Sequence, residues 1–311
     1  MADPTPAASG FPAAVPPETV ARGIVMAVTA FALFSGLDVI VKLLTARYAL
    51  PQIIFLNAVF SLGPVLAYAA VRGGVLASLR TRRLRLHGLR ALCGVCSGFC
   101  TFFAYSRMPI ADVYALAFAA PMIMTALSVP VLKEQVGWRR WTAVAVGFGG
   151  VLLMLRPGRG MVDVGALAAL AGAFFYSSGM IISRLMRGTE TSVSFAFYSA
   201  AAAMAATAGM LPFFWQTPTL ADLGLSALGG TLGGTALVIL LTAFRQAPTA
   251  VVAPFQYTQL LWGVFYGWVF FGHLPDAWLF LGGGIVIGSG LYILHRETRR
   301  TVPQPPRLPQ P

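Results

Sequence analysis

The chain has 311 residues, of which 57% are hydrophobic and 10% charged, and its formal net charge is +12. A soluble domain is about 25% charged, so a chain this apolar cannot cover its surface with polar groups and must have lipid as the solvent for most of its length. The 20 Arg and 2 Lys fall in short clusters between apolar runs, which points to a bilayer rather than to nucleic acid.

Residues 1–21 are rich in Pro and Ala, with no positive cluster ahead of an apolar core. They predict a disordered tail and not a secretory signal. Ten apolar runs follow, each long enough to span a hydrocarbon core of about 30 Å. They run from Gly23 to Ala46, Pro51 to Val71, Leu89 to Ser106, Ile110 to Leu132 and Trp138 to Leu155. The other five run from Val164 to Met186, Ser192 to Trp215, Leu223 to Phe244, Thr249 to Phe271 and Ala277 to Leu294. Lipid offers no partner to an unpaired backbone amide, so continuous runs of this length must be helices. Residues 298–311 again read as a disordered, Pro-rich tail. The fold class expected is therefore all-α integral membrane, with ten transmembrane helices.

The basic residues orient the chain. With the N-terminus in the cytoplasm, 17 Lys and Arg fall on the cytoplasmic side and 5 on the other. The run from Arg80 to Arg85 between the second and third spans contributes most to this asymmetry. Both termini are expected in the cytoplasm.

The sequence also repeats. A shift of 139 residues lays Ala104 on Ala243, Pro109 on Pro248, Val113 on Val252, Gly149 on Gly288 and Leu155 on Leu294 without a gap. A shift of 142 lays Ala27 on Ala169, Ser35 on Ser177 and Lys42 on Arg184. This divides the chain into five-helix repeats over 22–157 and 158–297. Because five is odd, the second repeat must enter the bilayer inverted. Inverted repeats around a central cavity suit alternating access to a site at the midplane, so the pattern favours a carrier.

Several residues are candidates for that site. Asp38 lies inside the first span, where a carboxylate is costly and usually faces a cavity. It could couple protons, meet a cationic substrate group, or pair with Lys42 one turn on. Lys42 and its mate Arg184 lie near span ends and could snorkel to the head groups or act in gating. Asp112 follows Pro109 at the start of the fourth span, where the helix dipole favours an acid. Glu134 ends that span beside Lys133, Arg139 and Arg140, as a loop ion pair or a cytoplasmic gate. In the ninth span Gln256 and Gln259 are three apart, with Tyr257 and Trp262 beside them, a polar lining on which a flat aromatic compound could stack and hydrogen-bond. Interhelical hydrogen bonding is the other account of these residues. Tyr114, Phe118 and the helix-kinking Pro121 are their counterpart in the fourth span, and Tyr105 and Tyr176 are further candidates.

Gly94 with Gly98, Gly230 with Gly234, and Gly284 with Gly288 are spaced for close helix approach, and Trp138, Trp141 and Trp278 read as interfacial anchors. Cys93, Cys96 and Cys100 share one helical face with no fourth ligand nearby, so they read as packing residues rather than a metal site. No cofactor is expected. No zinc-protease pair or phosphate-binding Gly-Lys loop is present in the sequence, which argues against both an enzyme and ATP coupling.

The runs from Phe103 to Asp112, Ala126 to Glu134 and Gly147 to Pro157, echoed by Phe244 to Pro248, Gly267 to His273 and Gly288 to Leu291, resemble the EamA-domain branch of the drug/metabolite transporter superfamily. The resemblance covers residues 22–296 and looks closest to bacterial riboflavin or S-adenosylmethionine transporters. It implies a ten-helix basket in a bacterial inner membrane, with spans one, three, four, six, eight and nine lining the cavity and five and ten outside. Members often carry an acid after the ninth helix, where this chain has His273. The implied substrate is a small polar or aromatic metabolite such as a vitamin, a nucleoside-like cofactor or an amino-acid derivative, with the bilayer as the other partner. Export of amino acids or other metabolites, and a non-transporting scaffold or receptor, are the alternatives. The compound, the direction, the coupling ion and the oligomeric state stay open at this stage.

Overall fold

The computed structural model describes residues 17–71, 74, 75, 81, 83–155, 163–186, 190–247 and 249–301. The tails 1–16 and 302–311, together with Arg72, Arg80, Arg82, Arg156, Arg159 and Arg187, lie outside them. Every regular element among the described residues is helical. The elements are α1 (Pro17–Leu44), α2 (Leu50–Val71), α3 (Leu84–Arg107), α4 (Ile110–Ala117), α5 (Ala120–Leu132) and α6 (Trp138–Leu155). They continue with α7 (Val164–Leu185), α8 (Ser192–Ala208), the short α9 (Leu211–Phe214), α10 (Leu220–Gln246), α11 (Thr249–Val252), a 3₁₀ turn (Ala253–Tyr257), α12 (Thr258–Phe271) and α13 (Ala277–Thr301). Seven helical segments are long and apolar enough to cross a membrane, with α4 and α5 counted together. The chain is an all-helical integral membrane protein.

Local chemistry sets the ends. Pro17 opens α1, where its missing N–H is no loss, so the helix begins inside the stretch expected to be a tail, and α13 likewise runs on to Thr301. Side chains of Asp163, Thr191 and Thr219 accept the first amides of α7, α8 and α10, as N-caps do. α5 ends on Lys133 at φ 55 and α12 on Gly272 at φ 66. These are matched positions under the 139-residue shift, and both use the left-handed C-terminal conformation that glycine adopts at least cost.

The fourth and ninth spans are both broken, again at matched positions. α4 stops at Ala117 and restarts at Ala120, with Pro121 in the first turn of α5. The kink expected from Pro121 is thus a full break, because a proline fits the first turn of a new helix. The ninth span carries its 3₁₀ turn over Ala253–Tyr257. Phe118 and Tyr257 stand at the two breaks and touch edge-on, with ring centroids 4.9 Å apart.

Packing follows the same exchange. α1 packs on α10, and α3 on α7; α2 packs on α10, and α8 on α3. α1 meets α12 as α7 meets α5, while α2 meets α8, α4 meets α12 and α6 meets α13. Swapping the halves leaves this list unchanged. The α1–α10 and α3–α7 pairs anchor two groups, each drawn from both halves, with α1, α2, α10 and α12 in one and α3, α4, α5, α7 and α8 in the other, and the groups meet through α2–α8 and α4–α12.

Glycines allow the closest approaches. A Cβ on Gly230 would sit 2.8 Å from the Asn57 carbonyl, and Gly234 meets the backbone at Ser61. The other two expected pairs are corrected: Gly94, Gly98, Gly284 and Gly288 face open space. The α6–α13 contact instead uses Gly150 and Gly282, each against the other's carbonyl. A shift of two positions turns a helix by more than half a turn, so spacing alone could not choose among the glycines of α13.

Candidate functional site

Asp38 lies on α1 facing the other group of helices. The Tyr114 hydroxyl of α4 donates to its Oδ2 at 2.5 Å. Tyr105 of α3 stands edge-on to Tyr114, with centroids 6.3 Å apart, and is the next polar neighbour of the carboxylate. Both tyrosines are buried. Ser35, one turn back on α1, is fully buried beside Tyr114. The second half offers nothing similar: the mates of Asp38, Tyr105 and Tyr114 are Met180, Phe244 and Ala253.

Lys42 does not turn back onto Asp38, and it does not snorkel outward. Its ammonium donates to the carbonyls of Tyr105 at 2.6 Å and Met108 at 2.7 Å and lies 5.4 Å from the centroid of the Phe271 ring. The reason is the C-terminus of α3, whose last carbonyls have no helical partner and attract a cation. Its mate Arg184 pairs with Glu134, with N···O at 3.6 Å.

The ninth-span candidates divide at the break. Gln256 is in the 3₁₀ turn and Gln259 in α12. Both are half-buried, and neither amide has a hydrogen-bond partner among the described residues. Trp262 stacks on Tyr266 with centroids 6.0 Å apart. Phe118 and Tyr257 hold the contact between the breaks. Tyr176 of α7 is 46% exposed. Near the Lys42 end, a cavity of about 380 Å³ is lined by Asp112, Asp163, His273 and Asp276 among others. Two of these acids are engaged as caps, Asp163 to Gly165 N and Asp276 to Leu279 N.

Three polar clusters were not legible in the sequence. Arg47 and Tyr48, just after α1, hold Asp222 at 3.0 and 2.8 Å. At the opposite end, His87 of α3 lies 3.0 Å from Glu190, which also accepts from Thr81 at 2.7 Å. Desolvation pushes the Glu190 carboxyl up, but hydrogen bonds from Thr81, His87 and Ser194 outweigh it and hold the group below the usual carboxylate range. Tyr48 and Glu190 are mates under the 142-residue shift, so each half fastens its first loop to the start of a helix in the other half. The third cluster surrounds Arg90.

Two copies of the EamA-like transporter family model match the chain, over residues 21–156 and 163–294. The chain belongs to the EamA-like transporter family. It is 27% identical over 288 residues to a riboflavin transporter of Rhizobium johnstonii, covering 92% of this chain and 95% of that one. It is equally 27% identical to an S-adenosylmethionine uptake transporter of Rickettsia bellii, over 85% of this chain and 90% of the relative. A pseudopaline exporter of Pseudomonas aeruginosa is 26% identical, over 89% and 97%. A solved crystal structure shares the fold at a TM-score of 0.62 and 18% identity, over 91% of this chain and 99% of the other. The protein is thus a multi-pass membrane transporter for metabolites.

Proposed function

We propose that the chain is a ten-span secondary carrier that works by alternating access, with its halves inverted and both termini in the cytoplasm. Its cargo is a small polar or aromatic metabolite of the kind its relatives' names describe. The exchange-symmetric packing carries this reading: both halves break at Phe118 and Tyr257, and the two breaks meet. Breaks in otherwise regular spans commonly mark hinges, and irregular backbone at membrane depth is tolerated where it lines a cavity. The two helix groups rock about this contact.

Asp38 is the coupling group in this scheme. Its hydrogen bond to Tyr114 ties α1 to the opposite group, as does the grip of Lys42 on the end of α3. Protonation of the carboxylate weakens its hydrogen bond from Tyr114 and frees α1 to move. Gln256, Gln259 and Trp262 offer unspent hydrogen-bonding groups and an aromatic face to the cargo. Glu134 and Arg184 form the gate at the cytoplasmic end.

The test is flux of riboflavin and of S-adenosylmethionine into proteoliposomes holding the full chain. A carrier gives saturable uptake that unlabelled compound competes away and that an imposed proton gradient drives uphill. Flux of both compounds no faster than in empty liposomes, or flux linear in concentration, would contradict the reading.

A further inference from the structure

Arg90 lies in the second turn of α3, and its guanidinium is fixed on three sides. Nε donates to Ser183 Oγ of α7 at 2.8 Å, while Nη1 donates to Ser199 Oγ at 2.7 Å and to the Phe195 carbonyl at 3.1 Å, both on α8. The plane also lies 4.6 Å from the Phe195 ring centroid. The two serine hydroxyls donate to carbonyls in their own helices, so they present lone pairs to the arginine and leave its charge intact. None of these partners is a carboxylate. Among the described residues the positive charge is not neutralised, and Nη2 has both hydrogens unspent. Arg90 is half-buried.

A guanidinium without a carboxylate partner in a spanning helix is costly, and such groups mark substrate pathways. A guanidinium held rigid by two serines, with Nη2 free, is prepared to donate a charge-assisted hydrogen bond to a carboxylate or phosphate oxygen. Along α3, Arg90 lies 15 residues from Tyr105, or about 22 Å at the helical rise of about 1.5 Å per residue. The arginine therefore stands at the opposite end of the interior from the Asp38 cluster.

We infer that Arg90, held by Ser183 and Ser199, forms an anion-binding station that receives the carboxylate or phosphate of the transported metabolite. The inference rests on the carrier reading and narrows its substrate class to molecules bearing an anionic group. An anionic lipid head group carries the same chemistry, so the test separates the two sources.

The experiment uses two probe pairs, each differing by one anionic group: S-adenosylmethionine against its decarboxylated form, and riboflavin 5′-phosphate against riboflavin. Binding is read as thermal shift of the full chain in detergent, and transport as competition in proteoliposomes. The wild type should prefer an anionic member by about tenfold or more, the size of one charge-assisted hydrogen bond. Arg90→Gln should erase the preference while still binding the member of each pair that lacks the anionic group, and Arg90→Lys should keep part of it. An equal preference in wild type and Arg90→Gln, or no shift by either anionic probe in the wild type, overturns the station. So does an Arg90 dependence that appears only when phosphatidylglycerol is added to neutral vesicles, which assigns the site to lipid. Saturable uptake of a probe that lacks the anionic group under any of these outcomes leaves the carrier reading standing, so the two fail separately.

Discussion

Lys42 and Arg184 occupy matched places at opposite ends of the molecule, yet they bind different things. Arg184 meets Glu134, which follows α5 in its own helix group. Lys42 meets the backbone carbonyls at the end of α3, in the other group. The difference traces to one substitution between the repeats: the mate of Glu134 is His273. Without a carboxylate there, the ammonium is drawn to the free carbonyls of a helix C-terminus, and α1 becomes fastened across the interior. Asp38 adds a second tie at the same end, and its mate is Met180. A duplicated scaffold has thus been made unequal by two residues, and the inequality gives one end its titratable connection.

The comparison can be attacked in order of expected effect. Replacing Asp38 with Asn should abolish gradient-driven accumulation while leaving exchange of labelled for unlabelled compound; undiminished accumulation removes Asp38 from coupling. His273→Glu should restore the lost acid and draw Lys42 off its carbonyls. Two charge-assisted hydrogen bonds, each worth about 1.5–3 kcal/mol, then no longer fasten that end. A cysteine placed at Ser106 in a chain lacking Cys93, Cys96 and Cys100 should then label about tenfold faster, and an unchanged labelling rate refutes the tie. Gln256→Ala and Trp262→Ala should each raise the half-saturation concentration several-fold, and wild-type kinetics in both would take the ninth span out of the binding site.

The smallest effect is at Glu190. Its folded carboxyl titrates below the usual range, so the stability it contributes is present above that range and is lost as pH falls through the depressed value. Glu190→Gln should lower the melting temperature by a few degrees at neutral pH and flatten its acid dependence. A melting curve with the wild-type acid dependence would show that the His87–Glu190 contact holds nothing.

Much of the scaffold was legible from composition and period. Apolar runs bounded by Arg clusters give the spans, and the ungapped 139-residue register anticipates the matched breaks and the matched ends at Lys133 and Gly272. Asp38 was legible because a carboxylate between Leu37 and Val39 has no cheap explanation in lipid. Its partners were not, since Tyr114 and Tyr105 are far away in sequence and nothing in an apolar run marks which tyrosine faces inward. The destination of Lys42 was hidden for a related reason: backbone carbonyls carry no sequence signal. Arg90 did not stand out, because it falls at the edge of an apolar run that begins at Leu89, whereas α3 starts a turn and a half earlier at Leu84 and carries it into the second turn. The 3₁₀ turn that carries Gln256 was not legible, because periodicity assumes an unbroken helix.

The most direct measurement takes spin labels at repeat mates across each end of the interior, Leu43 with Ser106 and Leu185 with Arg245, and records both distances by pulsed electron resonance with and without transported compound. Alternating access predicts that one distance lengthens as the other shortens, and that Asp38→Asn alters the balance between the two populations. Distances that both stay fixed, or that change in the same sense, would contradict a pair of inverted halves exchanging shapes.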